Sequence, residues 1–299
     1  MSELASEPSI RRSLAVGAKL PHTGAAARGD VVRSAAVALE EAGFDSLWVS
    51  DHVVLPERVR SPYPFAPDGV ARWPTDVAYL EALVTLTTAA AVTSRVRLGT
   101  AVLVLPQRQP VLLAKQAASL DALSDGRLVL GIGAGWLREE FTALGVPFER
   151  RGRLMDSAMA VLRDCWTGRP VGGAGEFLVL PAPERSIPLL VGGHSPAALR
   201  RAGRLGDGWL AQQSVGDLDL AALAGGIAEV RRAAEECGRD PDGLRVVLRV
   251  AESGGRAAEV AARIPELVAA GVHEIVVDTD PFADPAADRQ QLQAAVADG

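Results

Sequence analysis

The sequence predicts an α/β fold, a (β/α)8 TIM barrel that forms a single domain over residues 1–299. Short apolar runs alternate with long amphipathic segments almost from end to end, which gives eight β units and eight α units. The predicted strands are nearly continuous apolar runs, as expected when both faces of a parallel sheet are buried. No G-x-G-x-x-G follows the first strand and no linker divides the chain. A closed barrel therefore fits better than an open dinucleotide-binding sheet.

The elements follow from local signals taken in chain order. Strands are predicted at 13–19, 46–50, 96–104, 127–134, 187–193, 208–211, 244–250 and 273–279. Helices are predicted at 30–42, 75–92, 110–123, 137–144 with 151–166, 196–205, 218–237, 256–270 and 285–296. Asp30 is a suitable cap for the first helix, which Gly43 ends, and Pro110 and Pro196 suit the first turn of theirs.

Composition restricts the classes of function. With 48% hydrophobic and 23% charged residues, the chain resembles a globular protein with a large buried core. A net charge of −6 argues against nucleic-acid binding, which needs clustered Lys and Arg. No apolar run is long enough for a membrane span, and the N-terminus lacks the apolar stretch of a signal peptide. The spacing of the two cysteines and four histidines suggests no metal site. We therefore expect a cytoplasmic protein that acts on a small molecule.

Asp51 and His52 follow the second predicted strand, at the barrel end where such folds carry their working residues. Histidine can take or give a proton near neutral pH. Because consecutive strand side chains point opposite ways, one of the two would face the barrel mouth while the other holds the loop. A pair that merely caps the next segment is the alternative. The position in the barrel favours His52 as a general acid or base.

The run Gly193-His194-Ser195-Pro196 ends the fifth predicted strand. Ser is a preferred helix N-cap and Pro a preferred first helical residue, so Pro196 would begin a helix. Gly193 would let a ligand approach the backbone, and a helix N-terminus is an anion site. These features favour a phosphate site over an ordinary strand-to-helix turn.

Two further patterns lie near the same barrel end. Gly131, Gly133 and Gly135 alternate after the fourth strand, where small residues either relieve crowding or admit a flat ring; the glycines alone do not decide between these roles. Residues 53–74 form a long segment with five prolines. Such segments in compact domains are usually functional lids or disordered inserts. Because this one follows the second strand, it would cover the barrel mouth, and a lid is favoured over a disordered insert.

Three blocks of the sequence resemble the luciferase-like monooxygenase family. They are EEAGFDSLWVSDH, SRVRLGTAVLVLPQRQPVLLAKQAASLDALSDGRLVLGIGAGWLREEF and LLVGGHSPAALRRAGRLGDGW. The match covers residues 14–209 in register and the last three units more loosely. Within the family, the chain is most similar to the branch that uses the deazaflavin coenzyme F420. The resemblance implies a cofactor ring stacked at the barrel mouth.

The family's functional residues fall on positions already singled out. The resemblance implies that His52 lies beside the ring and that Asp51, the acidic residue before it, also belongs to the cofactor-binding set. It further implies that a non-proline cis bond at Ala101-Val102 bulges against the ring. It places the phosphate cradle on Gly193, His194 and Ser195. Thr100 and Gly133, at the ends of the third and fourth strands, complete the expected cofactor-binding set.

One position departs from the family pattern. The sugar-phosphate dehydrogenases of this branch have a catalytic Glu where this chain has Trp136, so the resemblance does not extend to that activity. Glu139 and Glu140 lie a turn later and could supply an acid, but the sequence does not show that they face the site.

The leading hypothesis is hydride transfer between coenzyme F420 and an unidentified small organic substrate, with His52 as proton donor or acceptor. The alternative is an FMN-dependent monooxygenase that works with a separate flavin reductase. A non-catalytic barrel is a third class, which the intact Gly193–Ser195 turn argues against. The sequence leaves the oligomeric state open, although the resemblance makes a homodimer a reasonable expectation.

Overall fold

The computed structural model describes residues 14–66, 68–172, 176–280 and 283–298. Within these residues, eight parallel strands pair in chain order and the last pairs with the first, which closes the barrel. The strands are β1 (Ala15–Lys19), β2 (Ser46–Val49), β3 (Arg97–Val104), β4 (Leu128–Gly133), β5 (Leu189–Gly192), β6 (Gly208–Ser214), β7 (Arg245–Ala251) and β8 (Glu274–Val277). The predicted fold class is confirmed. Ser13, Pro67 and the N-terminal stretch before Ser13 lie outside the described residues.

Helices pack around the barrel and connect its strands. They are α1 (Gly29–Glu41), α2 (Ala82–Ala90), α3 (Pro110–Leu123), α4 (Arg138–Ala143), α5 (Arg151–Cys165), α6 (Pro196–Leu205), α7 (Leu220–Glu235), α8 (Ala257–Ala269) and α9 (Pro285–Asp298). As predicted, two helices follow β4, and Pro110 and Pro196 open α3 and α6. None of the helices in the described ranges is both long and apolar enough to cross a membrane.

The second helix begins later than its sequence pattern predicts. Residues 75–81 are not helical, and α2 starts at Ala82 with the Glu81 carboxylate accepting a hydrogen bond from Val84 N–H at 2.8 Å. Tyr79 instead forms an antiparallel bridge with Thr23, and Leu80 N–H donates to the His22 carbonyl at 3.0 Å. The predicted start at residue 75 is therefore wrong, because pairing with a distant segment prevails over local helical preference.

The sixth strand extends beyond its predicted end at Ala211. β6 continues to Ser214 because its polar last residues pair in register with β7, for example Gln212 with Arg249. This pairing overrides a local sequence that lacks strand character. As a result, Gln212 lies at the C-terminal end of the barrel, near the predicted site.

The barrel interior is stacked in layers. At its N-terminal end Glu274 is fully buried and lies 3.0 Å from Arg97 and 2.8 Å from Arg245, measured from Oε2 to Nη2. Its other oxygen accepts a hydrogen bond from the Ser46 hydroxyl. Above this basal charge layer, Trp48 packs against apolar side chains from β4 to β8, namely Val129, Leu190, Leu210, Val247 and Val276. A Cβ atom at Gly17 or Gly99 would overlap the Trp48 ring, which explains both glycines.

Candidate active site

His52 and Glu140 form a hydrogen-bonded pair at the C-terminal end of the barrel. His52 Nδ1 lies 3.1 Å from Glu140 Oε2, while Glu140 Oε1 accepts hydrogen bonds from Val53 N–H at 2.6 Å and Val54 N–H at 3.2 Å. Because a carboxylate only accepts hydrogen bonds, this network assigns the proton to Nδ1 and leaves a lone pair on Nε2. Burial raises the pKa of Glu140, but its hydrogen bonds with His52 and Val53 outweigh burial and hold that pKa below its ordinary value.

Asp51 points away from His52, as the alternation of strand side chains predicts. Its Oδ2 accepts a hydrogen bond from Val104 N–H at 2.9 Å, and its Oδ1 pairs with Arg108 Nη2 at 2.5 Å. Arg108 also pairs with Glu81, the cap of α2, at 2.8 Å. The Asp51 carboxylate thus fixes the end of β3, and its contact with a cofactor stays a prediction.

Tyr79 contacts the His52 ring edge-on, with 5.4 Å between ring centroids. Its hydroxyl shares a hydrogen bond with Ser50 Oγ, which lies 3.2 Å from His22 Nε2. Burial lowers the pKa of His22 to about 4, so this ring is neutral near pH 7 and holds β1 and β2 together. Sequence reasoning missed Tyr79 because it assigned the residue to a helix.

The end of β3 carries the backbone feature that the family resemblance implies. The Ala101-Val102 peptide bond is cis, and the pairing of β3 with β4 shifts between Thr100 and Leu103. A Cβ at Gly133 would lie 2.6 Å from Val102 Cγ2, and one at Gly192 would lie 2.6 Å from Val102 Cγ1. Crowding by Val102 therefore accounts for Gly133, and contact of Val102 or Gly133 with a cofactor stays a prediction.

Thr100 turns its side chain to the neighbouring strand. The residue is fully buried, and its hydroxyl donates a hydrogen bond to the Gly131 carbonyl at 2.7 Å. The hydroxyl proton is therefore used in a bond between two strands of the barrel. Cofactor binding by Thr100 stays a prediction.

The Gly193-His194-Ser195 turn has the local structure that the sequence predicts. Gly193 has φ +114°, and Ser195 caps α6 by accepting a hydrogen bond from Ala198 N–H at 3.2 Å. His194 Nε2 accepts a hydrogen bond from Gln212 N–H at 3.1 Å, which fixes the turn against β6. The helix start is confirmed, and phosphate binding stays a prediction.

Aromatic side chains of the lid, which we define as residues 53–74, lie across the barrel mouth. Tyr63 contacts Trp73 and Trp136, with centroid distances of 4.6 Å and 5.1 Å, and Phe65 contacts His194 at 5.8 Å. Trp136 also meets the His52 ring edge-on at 6.3 Å. The lid therefore reaches from the end of β2 to the end of β5.

Helix α4 binds the lid through Glu139, the neighbour of Glu140. Glu139 Oε1 accepts hydrogen bonds from Arg60 N–H at 2.6 Å and Ser61 N–H at 3.1 Å, and Ser61 Oγ donates to Oε2 at 2.5 Å. Two consecutive glutamates thus serve different partners, one the lid and the other His52.

A cavity of about 430 Å³ opens beside His52, lined by residues 52–55, 75–77 and Tyr79.

Comparison with known proteins assigns the chain to a family. The model of the luciferase-like monooxygenase family matches residues 13–297. The chain belongs to this family. It is thus a luciferase-like enzyme, and the family resemblance of its sequence blocks is confirmed.

Individual relatives of this luciferase-like enzyme give more detail. An uncharacterised protein of Mycobacterium tuberculosis is 40% identical over 210 residues, which cover 68% of this chain and 71% of that protein. An F420-dependent glucose-6-phosphate dehydrogenase of Amycolatopsis mediterranei is 33% identical over 219 residues, 69% of this chain and 61% of that one. The structure of an F420-dependent secondary alcohol dehydrogenase with an F420–acetone adduct shares the fold, with a TM-score of 0.75 and 18% identity over 95% of this chain and 99% of the other.

Proposed function

We propose that this luciferase-like enzyme transfers a hydride between coenzyme F420 and a small organic substrate. The observation that carries the proposal is the 33% identity with a dehydrogenase that is F420-dependent. The His52–Glu140 pair supports it, since it supplies a proton-transfer group at the barrel mouth. An FMN-dependent monooxygenase is the competing function within the same family.

The residues at the mouth fit a flat cofactor that ends in a phosphate-bearing chain. Gly193 has a positive φ, and a Cβ added there would lie 3.1 Å from that of Ala198, so the position favours glycine. Without a side chain, its backbone would be accessible to a phosphate. His194 and Ser195 adjoin the N-terminus of α6, which favours an anion. Ala101 and Val102 would support the ring from below, next to Asp51, Thr100 and Gly133. When bound, F420 supplies a carbon that accepts or donates a hydride.

His52 provides the proton that accompanies hydride transfer. Removing a hydride from a carbon that bears a hydroxyl group also releases the hydroxyl proton, and the free lone pair of His52 Nε2 can accept it. In the opposite direction the same nitrogen returns the proton to the carbonyl oxygen. Glu140 stabilises the resulting imidazolium through Nδ1, and the lid limits access of water to the pair.

The nature of the substrate does not follow from the sugar-phosphate dehydrogenases. Trp136 replaces their catalytic glutamate, and it contacts Tyr63, Trp73 and His52 edge-on. This wall of the site is aromatic, which offers no carboxylate for proton transfer. We therefore propose an F420-dependent oxidoreductase without assigning it the glucose-6-phosphate reaction.

Cofactor binding to the purified protein tests the proposal. We expect a colourless protein that binds added F420 more tightly than FMN, measured by F420 fluorescence. Co-purification of yellow FMN, with no affinity for F420, would instead identify the monooxygenase alternative.

Two variants test the phosphate cradle in the same assay. Gly193→Val should abolish most F420 affinity, because it adds bulk where the phosphate approaches and requires an unfavourable φ. Ser195→Ala should cost only about 0.5–1.5 kcal/mol of binding, since its hydroxyl is one of several donors. Unchanged affinity in a folded Gly193→Val protein would place the phosphate elsewhere.

A further inference from the structure

Three charged side chains form a layer of the barrel interior at its mouth, above Trp48. Lys19 ends β1, Arg249 lies near the end of β7 and Asp278 follows β8. Because strand side chains alternate, Lys19 shares the inward face of Gly17, and Asp278 shares that of Val276 in the apolar layer. These groups belong to neither the His52–Glu140 pair nor the predicted phosphate turn.

Asp278 neutralises Arg249, and both of its carboxylate oxygens accept a hydrogen bond. Arg249 Nη2 lies 2.7 Å from Asp278 Oδ1, and Glu252 N–H donates to Oδ2 at 2.8 Å. The other terminal nitrogen of Arg249 donates to Gln212 Oε1 at 3.3 Å. Two cations and one anion thus leave this layer with one excess positive charge.

Lys19 carries that excess charge. Across the part of the chain that the structure describes, its ammonium group makes no hydrogen bond and no ion pair. Burial and the charge of Arg249 lower the pKa of Lys19 to about 8, although Asp278 opposes the shift. A partly buried cation without a hydrogen-bonded counter-ion is costly, and such groups concentrate at functional sites.

We propose that Lys19 binds an anionic group of the substrate, a carboxylate or phosphate, at the barrel mouth. The proposal rests on the proposed function, because the anion is assigned to the substrate once the F420 phosphate is placed at the turn after β5. The charges of the mouth support this role, since Asp51 is paired with Arg108 and Glu140 with His52, whereas Lys19 has no hydrogen-bonded counter-ion. An anionic group is therefore drawn towards Lys19.

The lid connects to the same layer. Gln212, which accepts from Arg249, also donates from Nε2 to the Tyr63 hydroxyl at 3.4 Å. A substrate anion at Lys19 would thus lie beneath Tyr63, in a place that the lid shields from water. Shielding strengthens the attraction between the ammonium group and the anion.

Geometry also favours the substrate over the cofactor as the source of the anion. The proposed phosphate turn of F420 follows β5, whereas Lys19 ends β1, on the opposite side of an eight-stranded ring. One phosphate cannot occupy both places. We therefore assign the anion at Lys19 to the substrate, and F420 titration of a Lys19 variant tests this assignment.

The scarcity of lysine permits a direct test in the cofactor-free protein. The chain has only Lys19 and Lys115, and Lys115 is exposed on α3 with its ammonium bound to the Leu180 carbonyl. Carbon-13 labelling of lysine gives two side-chain NMR signals, which Lys115→Gln assigns. We expect acetate and inorganic phosphate, added at constant ionic strength against chloride, to shift the Lys19 signal saturably. The bound anion should also raise the pKa of Lys19 above about 8, because it stabilises the charged form.

Matched variants complete the experiment. Lys19→Met should weaken acetate and phosphate binding by about 10-fold or more, as expected for loss of a charge-assisted hydrogen bond, whereas Lys115→Met should not change it. F420 affinity should be unchanged in both variants.

The outcomes separate the two proposals. A Lys19 signal that responds to acetate and phosphate no more than to chloride would overturn the anion site, as would a loss of F420 affinity equal to the loss of anion binding. If the native protein binds acetate at Lys19 but does not bind F420, the anion site stands and the proposed function fails.

Discussion

Glu140 determines which nitrogen of the His52 ring is available for proton transfer. Its carboxylate lies 3.1 Å from Nδ1 and is itself held by the N–H groups of Val53 and Val54. The ring is therefore fixed in one tautomer by a group that is only 1% exposed. Such an acceptor on the far nitrogen both orients an imidazole and stabilises its protonated form, so Glu140 acts as a positioning residue.

His52 and Glu140 variants should differ in the size of their effects. His52→Ala should lower turnover by ~10²–10⁴-fold, the range for a positioned general acid or base, with a much smaller change in F420 affinity. Glu140→Gln should give a smaller loss, because the ring remains but loses its ionic partner. Steady-state kinetics and F420 titration measure both effects, with exposed Glu149→Gln as the control. Native turnover in His52→Ala would remove this residue from the mechanism.

At the scale of elements, α4 joins the lid to the His52–Glu140 pair. Glu139 holds Arg60 and Ser61 of the lid, while Glu140, the next residue, holds His52. A six-residue helix therefore contacts both the lid and the His52 ring. We therefore expect movement of the lid to affect the orientation of His52 through this short element.

Hydrogen exchange tests whether the lid moves. We expect residues 53–66 to exchange faster than the strands in the free protein and to become protected when F420 and substrate bind. Glu139→Gln should speed their exchange further because it weakens two backbone hydrogen bonds, whereas Glu149→Gln should not. Full protection of these residues in the free protein would contradict lid movement and would show that the segment is a fixed part of the fold.

The sequence predicts elements well where local patterns determine them. All eight strands lie within a few residues of their predicted positions, and the Ser195 cap is where local chemistry places it. The start of α2 and the end of β6 were wrong because both depend on pairing with distant segments. The inward direction of Lys19 and the contact of Glu140 with His52 also required the folded barrel, since neither follows from neighbouring residues.

At the scale of the whole molecule, the barrel interior alternates between charged and apolar layers. Glu274 balances Arg97 and Arg245 at the base, Trp48 fills the middle, and Lys19, Arg249 and Asp278 lie at the mouth. The apolar layer separates the two charged ones. We therefore expect the basal layer to stabilise the fold, whereas the upper layer, with its excess positive charge, is the proposed anion site.

Removing the basal anion should destabilise the fold. Glu274→Gln should reduce the free energy of unfolding by about 2–4 kcal/mol, somewhat below the cost of breaking a fully buried pair, because both arginines keep some solvent contact. Urea denaturation measures this change. Glu266→Gln, which breaks an exposed pair with Arg263, should stay within about 0.5 kcal/mol of the native value. Equal stability of the two variants would contradict a structural role for Glu274.

The packing of Val102 has a consequence for how sequences of this kind can change. Its two methyl groups fill the space of side chains at both Gly133 and Gly192, so three adjacent strands share one small volume. Enlarging either glycine is harmful while valine is present, but becomes tolerable once residue 102 has shrunk. The order of substitutions is therefore constrained, because a side chain can be added at residue 133 or 192 only after residue 102 has become smaller.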